Sequence, residues 1–240
     1  MKLIAFALPL IALAACNKAS DVAKPTGPIV AVSAPAGTTW EATVAETADG
    51  GYRMGNPNAP IKLVEYGSRT CPHCAKFSAE SAAGLKTYVA TGKVSFEFRD
   101  FPIHAPDLAA IMLGRCGGPG PYFTILEQMM AAQSTMLPKI EKLPPEMQSK
   151  LASMSPNEQA AQWADLVGYR DFVQQRGITA DAAKTCLADS GAVDRIGKQL
   201  AAADAQYKIS GTPTFILNGE VLANVNEWPA VESALKAAGA

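Results

Sequence analysis

Histidine is scarce in this chain. His73 and His104 are the only two in 240 residues, too few for an imidazole-rich metal site. Charge is scarce in surplus as well. The 21 basic and 22 acidic residues leave a formal charge of −1, and no basic run stands out, which argues against a nucleic-acid footprint. The apolar, uncharged run over residues 3–15 stops at 13 residues, short of the roughly 20 that span a bilayer as a helix. Cysteine is limited to five, an odd number that is awkward in an oxidising compartment. What remains is a chain with 48% apolar content, long enough to bury one large core or one domain carrying an insertion.

The N-terminus reads as an export signal. Lys2 precedes the apolar run, and the length favours a secretory signal over a transmembrane anchor. The run ends in Leu13-Ala14-Ala15-Cys16, which resembles the lipobox of bacterial lipoproteins. That resemblance implies removal of residues 1–15 and a diacylglycerol on the Cys16 thiol, with a further acyl chain on the new amino terminus. Ordinary cleavage, leaving Cys16 free, is the alternative. Two or more acyl chains suffice for stable membrane attachment. Lipidation of Cys16 would leave an even set: Cys71, Cys74, Cys116 and Cys186.

Residues 16–39 are expected to form a flexible tether. Of residues 17–39, 15 are Ala, Pro, Gly, Ser or Thr, and no period persists. A coil of that length spans roughly 25 Å, and about 80 Å when fully extended. A partly ordered arm is the competing expectation.

Beyond the tether, residues 40–45 read as a short strand, and Gly50-Gly51 and Gly55-Asn56-Pro57-Asn58 as turns. Residues 61–66 form a strand by their β-branched and aromatic content, and residues 94–99 form another by period-2 alternation. Between them a helix is predicted from Pro72 to about residue 90, ended by Gly92. Residues 105–207 turn helical, with helices expected over 107–115, 122–132, 156–167, 169–176, 180–189 and 192–207. Residues 137–156 hold four prolines and give no clear pattern. Thr214 to Leu222 reads as a hairpin around Asn218-Gly219, and residues 227–238 close the chain as an amphipathic helix. The predicted order is strand, strand, helix, strand, helical block, hairpin, helix.

The chemistry centres on Cys71-Pro72-His73-Cys74. A disulfide across so small a loop constrains little of the unfolded chain, so stapling is a weak reason for the pair. Its place after a strand and at a helix start is a stronger one. Unpaired N–H groups and the helix dipole there favour an anion. A Cys71 thiolate would be stabilised and become a good leaving group, with protonated His73 adding positive charge. Pro72 suits the first helical turn. Half a zinc site is the rival reading, but zinc needs further ligands, and neither Cys116 nor Cys186 belongs to a second pair.

Gly55-Asn56-Pro57-Asn58-Ala59-Pro60 through Cys74, with Gly211-Thr212-Pro213-Thr214-Phe215, resembles the DsbA-like branch of the thioredoxin superfamily over roughly residues 50–238. The resemblance implies an α/β thioredoxin-like fold, split into residues 40–104 and 208–240 by a helical insertion over 105–207. It implies that Cys71 is the exposed attacking sulfur and Cys74 the buried resolving one, that Pro213 is a cis-proline facing them, and that a substrate strand pairs with Thr212. It also points to Glu65 as a buried acid serving Cys74, against the reading of an edge-strand Glu facing water. Thr212 replaces the Val usual in the best-known oxidases, and Thr is common there in isomerases. Some relatives carry a second disulfide, which would join Cys116 and Cys186 and contribute roughly 4 kcal/mol; two separate thiols are the alternative. His104 reads as a capping or surface residue. Met129, Met130 and Met136 read as helix packing.

The expected function is a thiol:disulfide oxidoreductase that oxidises cysteines of secreted proteins in the cell envelope. It is expected to be lipid-anchored and periplasm-facing, and monomeric. It would work on unfolded or reduced secreted proteins with a quinone-linked membrane redox partner, and without metal or dissociable cofactor. Alternatives are a disulfide isomerase or reductase and, from another class, a client-binding holdase or a Cys71/Cys74 metal carrier.

Overall fold

Short runs rich in apolar and aromatic residues, each followed by a glycine or a turn, lay down the strands in the computed structural model, which describes residues 27–240. The signal segment and Cys16 lie outside the described residues. The elements run β1 (Val44–Glu46), β2 (Tyr52–Gly55), β3 (Ile61–Gly67), α1 (Pro72–Ala90) and β4 (Val94–Asp100). A helical block follows: α2 (Asp107–Arg115), α3 (Tyr122–Ala131), α4 (Gln133–Met136), α5 (Pro138–Glu141), α6 (Pro145–Ala152), α7 (Pro156–Val167), α8 (Tyr169–Gln174), α9 (Ala180–Ala188) and α10 (Ser190–Tyr207). The chain then returns through β5 (Thr214–Leu217), β6 (Glu220–Val221) and α11 (Trp228–Ala238).

The six strands form one mixed sheet in the order β1-β2-β4-β3-β5-β6. Only β3 and β4 pair in parallel, and α1 is the crossover between them. The two adjacent strands of a parallel pair lie at the centre and are buried accordingly. Asn218 and Gly219 at the β5–β6 turn have φ of 50° and 90°, the two positive angles of a type I′ hairpin. This is the thioredoxin-like arrangement with a helical insertion between β4 and β5.

Two cores result. One lies between the sheet and α1 and α11, and includes Phe77, Leu85, Val89, Phe215, Val231 and Leu235. The other is internal to the helical block and is built from Ile111, Leu113, Met129, Trp163, Ala164 and Val173. Cys116 at the end of α2 is bonded to Cys186 in α9 across 70 residues, so these two helices of the block are joined covalently.

Several expectations need correction. The strand expected over residues 40–45 is β1, shifted to Val44–Glu46. Trp40 is instead buried in the core, with its indole N–H donating to the Val32 carbonyl at 2.6 Å. Tyr52–Gly55 is a strand that the glycines on both sides concealed. Residues 27–39 do not behave as a free tether. Val32 N–H donates to the Thr91 carbonyl, and Ile29 and Ala34 pack on the core. The arm fits because Gly92, at φ +70°, has no side chain: a Cβ there would stand 2.3 Å from the Val32 carbonyl. The prolines between residues 137 and 156 do not break helices. Pro138, Pro145 and Pro156 sit in the first turns of α5, α6 and α7, where a missing N–H costs nothing. Among the described residues, no helix is long and apolar enough to cross a membrane.

Candidate active site

Strand β3 ends at Gly67, and four residues later Cys71 occupies the N-cap of α1 with extended backbone angles, φ −81° and ψ 122°. Pro72 takes the first helical position, and Cys74 falls one turn further, fully buried. Cys71 is not the exposed sulfur that the resemblance implies: at 3% exposure it is buried too, covered on one side by Thr212. The Thr212–Pro213 peptide is cis, and it brings Thr212 against the pair from the far end of the sequence. The Cys71 thiol donates to the Thr212 carbonyl at 3.3 Å. Sequence reasoning placed Cys71, Pro72, Cys74, Thr212 and Pro213 near one another, and the structure gathers them in one place.

The two sulfurs differ sharply in acidity. A hydrogen bond from the Cys74 thiol is the largest influence on Cys71; burial opposes it, and the Thr212 side chain and the backbone N–H groups of Cys74 and His73 add to it. Together they bring Cys71 down to about 5. Burial pushes Cys74 far up, reinforced by its hydrogen bond to Cys71 and by negative charge on Glu65 and Cys71. Cys71 is therefore thiolate at neutral pH while Cys74 keeps its proton. His73 serves Cys71 through its backbone N–H, and its ring is exposed.

Glu65 does not lie at a sheet edge. It sits in β3, between β4 and β5 in the sheet, opposite Phe98 and Phe215, and is buried. Burial first, and the charge of Cys71 second, hold its carboxyl well above the ordinary carboxylate range. It also borders a cavity of about 30 Å³ shared with Phe77, Ser81, Lys86 and Glu127, room for a single water. Lys86 and Glu127 form a partly exposed ion pair at its rim.

The turn that carries Cys71 is held by groups the sequence did not single out. Asp107, at the start of α2, is fully buried. It accepts from the Ser68 hydroxyl, the Thr70 N–H and hydroxyl, and the N–H groups of Ile103 and His104, at 2.9–3.1 Å. His104 is a surface residue whose Nδ1 lies 2.8 Å from the Thr70 hydroxyl. Arg69, fully buried, pairs with Asp100, which also takes Arg115 and the Tyr122 hydroxyl. From the helical block, Gln133 donates to the carbonyls of Arg69 and Cys71 at 3.0 and 3.1 Å. Asp107 announced only a helix start in the sequence, and Gln133 left no local signal, because its partners are backbone atoms more than 60 residues away. Among the described residues no three His, Cys, Asp or Glu side chains converge as a metal site.

A thioredoxin family model matches residues 47–237, most of the chain and both halves of the sheet. The chain belongs to the thioredoxin family. Within it, the inserted helical block makes the protein DsbA-like. A protein-disulfide isomerase from Novosphingobium aromaticivorans superposes with a TM-score of 0.76 at 28% identity, covering 80% of this chain and 98% of that one. Wolbachia pipientis alpha-DsbA1 shares the fold, with a TM-score of 0.60 at 23% identity over 77% and 88% of the two chains. By sequence, a Rickettsia bellii protein named "Putative protein-disulfide oxidoreductase" is 27% identical over 171 residues, 69% of this chain and 56% of its own. The thioredoxin-family chain described here spans about half the length of the curated relatives it matches.

Proposed function

We propose that the protein is a thiol:disulfide oxidoreductase that oxidises cysteine pairs of secreted polypeptides. One arrangement carries this: Cys71 at the N-cap of α1 against Thr212, with a fully buried Cys74 one turn on, which lowers the pKa of Cys71 and drives that of Cys74 far up. A depressed pKa at one sulfur stabilises the dithiol form, and the disulfide form is correspondingly a stronger oxidant.

The reaction balances as two exchanges. A client thiolate attacks Cys71 Sγ and breaks the Cys71–Cys74 bond. Cys74 leaves and is protonated, with Glu65 as the adjacent neutral acid. The client's second thiolate then attacks its own sulfur in the mixed disulfide, and Cys71 departs as a stable thiolate. The client loses two electrons, which the Cys71/Cys74 dithiol now holds. One client proton ends on Cys74 and the other in solvent. Glu65 recovers its proton through the small cavity that runs toward Lys86 and Glu127. Backbone donors around Cys71 and the Thr212 hydroxyl stabilise the departing sulfur.

The proposed setting follows from the N-terminus: cleavage before Cys16, lipidation of its thiol, and display on the periplasmic side, where a quinone-linked membrane partner accepts the electrons. Residues 16–26 of the proposed tether lie outside the described residues. Isomerisation is the second reading, favoured by Thr212 before the cis-proline. Cys71→Ser should abolish oxidation of dithiothreitol and of reduced client peptides. Retained turnover in that variant would remove the proposal.

A further inference from the structure

A client thiol must lose its proton before it reacts. The attacking species in disulfide exchange is the thiolate, and an ordinary cysteine, with a pKa of about 8.5, is only a few per cent ionised at neutral pH. Cys71 and Cys74 are bonded to each other when the client arrives, and Glu65 is buried beside Cys74. That leaves the chain's two imidazoles, His73 and His104. The His73 ring is exposed and makes no hydrogen bond among the described residues.

The hydrogen bonds around Thr70 fix the ring of His104. The Thr70 hydroxyl lies 3.0 Å from Oδ2 of Asp107 and 2.8 Å from Nδ1 of His104. A carboxylate only accepts, so the single hydroxyl proton of Thr70 points to Asp107; otherwise two sets of lone pairs would face each other. Ser68, 3.2 Å from the Thr70 hydroxyl, puts its own proton on the same carboxylate. Toward His104 the Thr70 oxygen is therefore an acceptor, and Nδ1 carries the hydrogen. Asp107 also accepts from the His104 backbone N–H at 3.0 Å, so it holds this residue at two points. Ser68, Thr70 and Asp107 are buried. His104 is exposed, and no group among the described residues bonds its Nε2. With the hydrogen on Nδ1, Nε2 presents a lone pair.

We propose that His104 is the base that takes the proton of the incoming client thiol. The inference rests on the oxidoreductase reading and adds a catalytic residue to it. Thr70 is covalently joined to Cys71, so the ring it holds stands beside the residue whose sulfur the client attacks. The client S–H gives its proton to Nε2, directly or through one water. The thiolate bonds to Cys71 Sγ, the Cys71–Cys74 bond breaks, and its electron pair leaves on Cys74, which Glu65 protonates. His104 then passes its proton to solvent, the one proton that the whole exchange sets free. Thr70 and Asp107 are positioning residues, which keep the hydrogen on Nδ1 and the lone pair on Nε2.

The test sets two thiols against the oxidised full chain at neutral pH: a cysteine peptide, mostly protonated, and a nitro-substituted thiophenol, already ionised. Acid quenching and alkylation give the rate at which the Cys71–Cys74 bond opens. His104→Gln keeps the backbone bond to Asp107. It should slow opening by the peptide about a hundredfold, the low end for loss of a positioned base, and leave opening by the thiophenolate unchanged. Thr70→Val keeps the imidazole but frees its tautomer, and should slow the peptide selectively as well. Nitrogen NMR of the wild type should show the His104 hydrogen on Nδ1. Equal slowing of both thiols by His104→Gln, or slowing of neither, would overturn the proposal and leave the activity standing. A hydrogen on Nε2 would overturn it too, as would a selective loss in His73→Gln that His104→Gln lacks. A wild-type disulfide that neither thiol opens would overturn the oxidoreductase reading and the role of His104 together.

Discussion

Thr212→Val removes one hydroxyl from the site and keeps the side-chain shape. That hydroxyl is buried with no hydrogen-bond partner, and the Thr212 side chain helps to lower the Cys71 pKa. A hydrogen bond to a charged group contributes roughly 1.5–3 kcal/mol, so its loss should raise the Cys71 pKa by about one to two units. From about 5, that shift makes the reduced enzyme less favourable at pH 7 by about 10- to 50-fold. For a two-electron couple the reduction potential then falls by about 30–50 mV. The oxidised form should keep or gain stability, because Val buries no unsatisfied hydroxyl. Thiolate absorbance against pH gives the pKa, and equilibration with glutathione buffers gives the potential. A pKa and potential unchanged in Thr212→Val would refute the role of this hydroxyl and leave the Cys74 thiol and the backbone N–H groups to explain the acidity of Cys71.

Three further outcomes follow from the same geometry. Glu65→Gln should slow dithiol oxidation by about a hundredfold, the low end for loss of a positioned acid–base group. It should also stabilise the protein at pH 7. The raised native pKa means the folded state holds a proton that the unfolded state releases, so stability falls as pH rises above the unfolded value, and Gln abolishes that slope in pH-dependent melts. Replacing Cys116 and Cys186 together by Ala should cost about 4 kcal/mol, from the 70-residue loop they close, and lower Tm by about 8–16 °C while cold samples still oxidise dithiothreitol. Gln133→Leu should cost about 1–3 kcal/mol in denaturant unfolding, and Gln133→Glu should raise the Cys71 pKa, since a carboxylate there faces two carbonyls and a thiolate.

The features legible in the sequence were those with a local signature. Ile61–Gly67 and Val94–Asp100 carry strand composition, Asn218-Gly219 fits only a tight hairpin, and Cys71-Pro72-His73-Cys74 stands at a strand-to-helix junction. The gathering of Thr212 beside Cys71 came from family resemblance, because nothing local ties residues 141 positions apart. Burial of Glu65 was open for a related reason. Alternation marks which face of a strand is apolar, but only strand order says that β3 is central. Gln133 and Asp107 were invisible as site residues, since each acts on backbone groups brought near by packing. The docked arm stood only as the competing expectation because its few apolar residues show no period, and its seat depends on the bare backbone at Gly92.

The most direct test is the reduction potential of the Cys71–Cys74 couple, measured with the Cys71 pKa on the same sample. A pKa of about 5 stabilises the dithiol at pH 7 by about 50-fold over a thiol of pKa 7, the value for thioredoxin. The potential should therefore lie about 50 mV or more above thioredoxin's value of about −270 mV. A potential at or below that value, with a Cys71 pKa near 8 or 9, would contradict an oxidase.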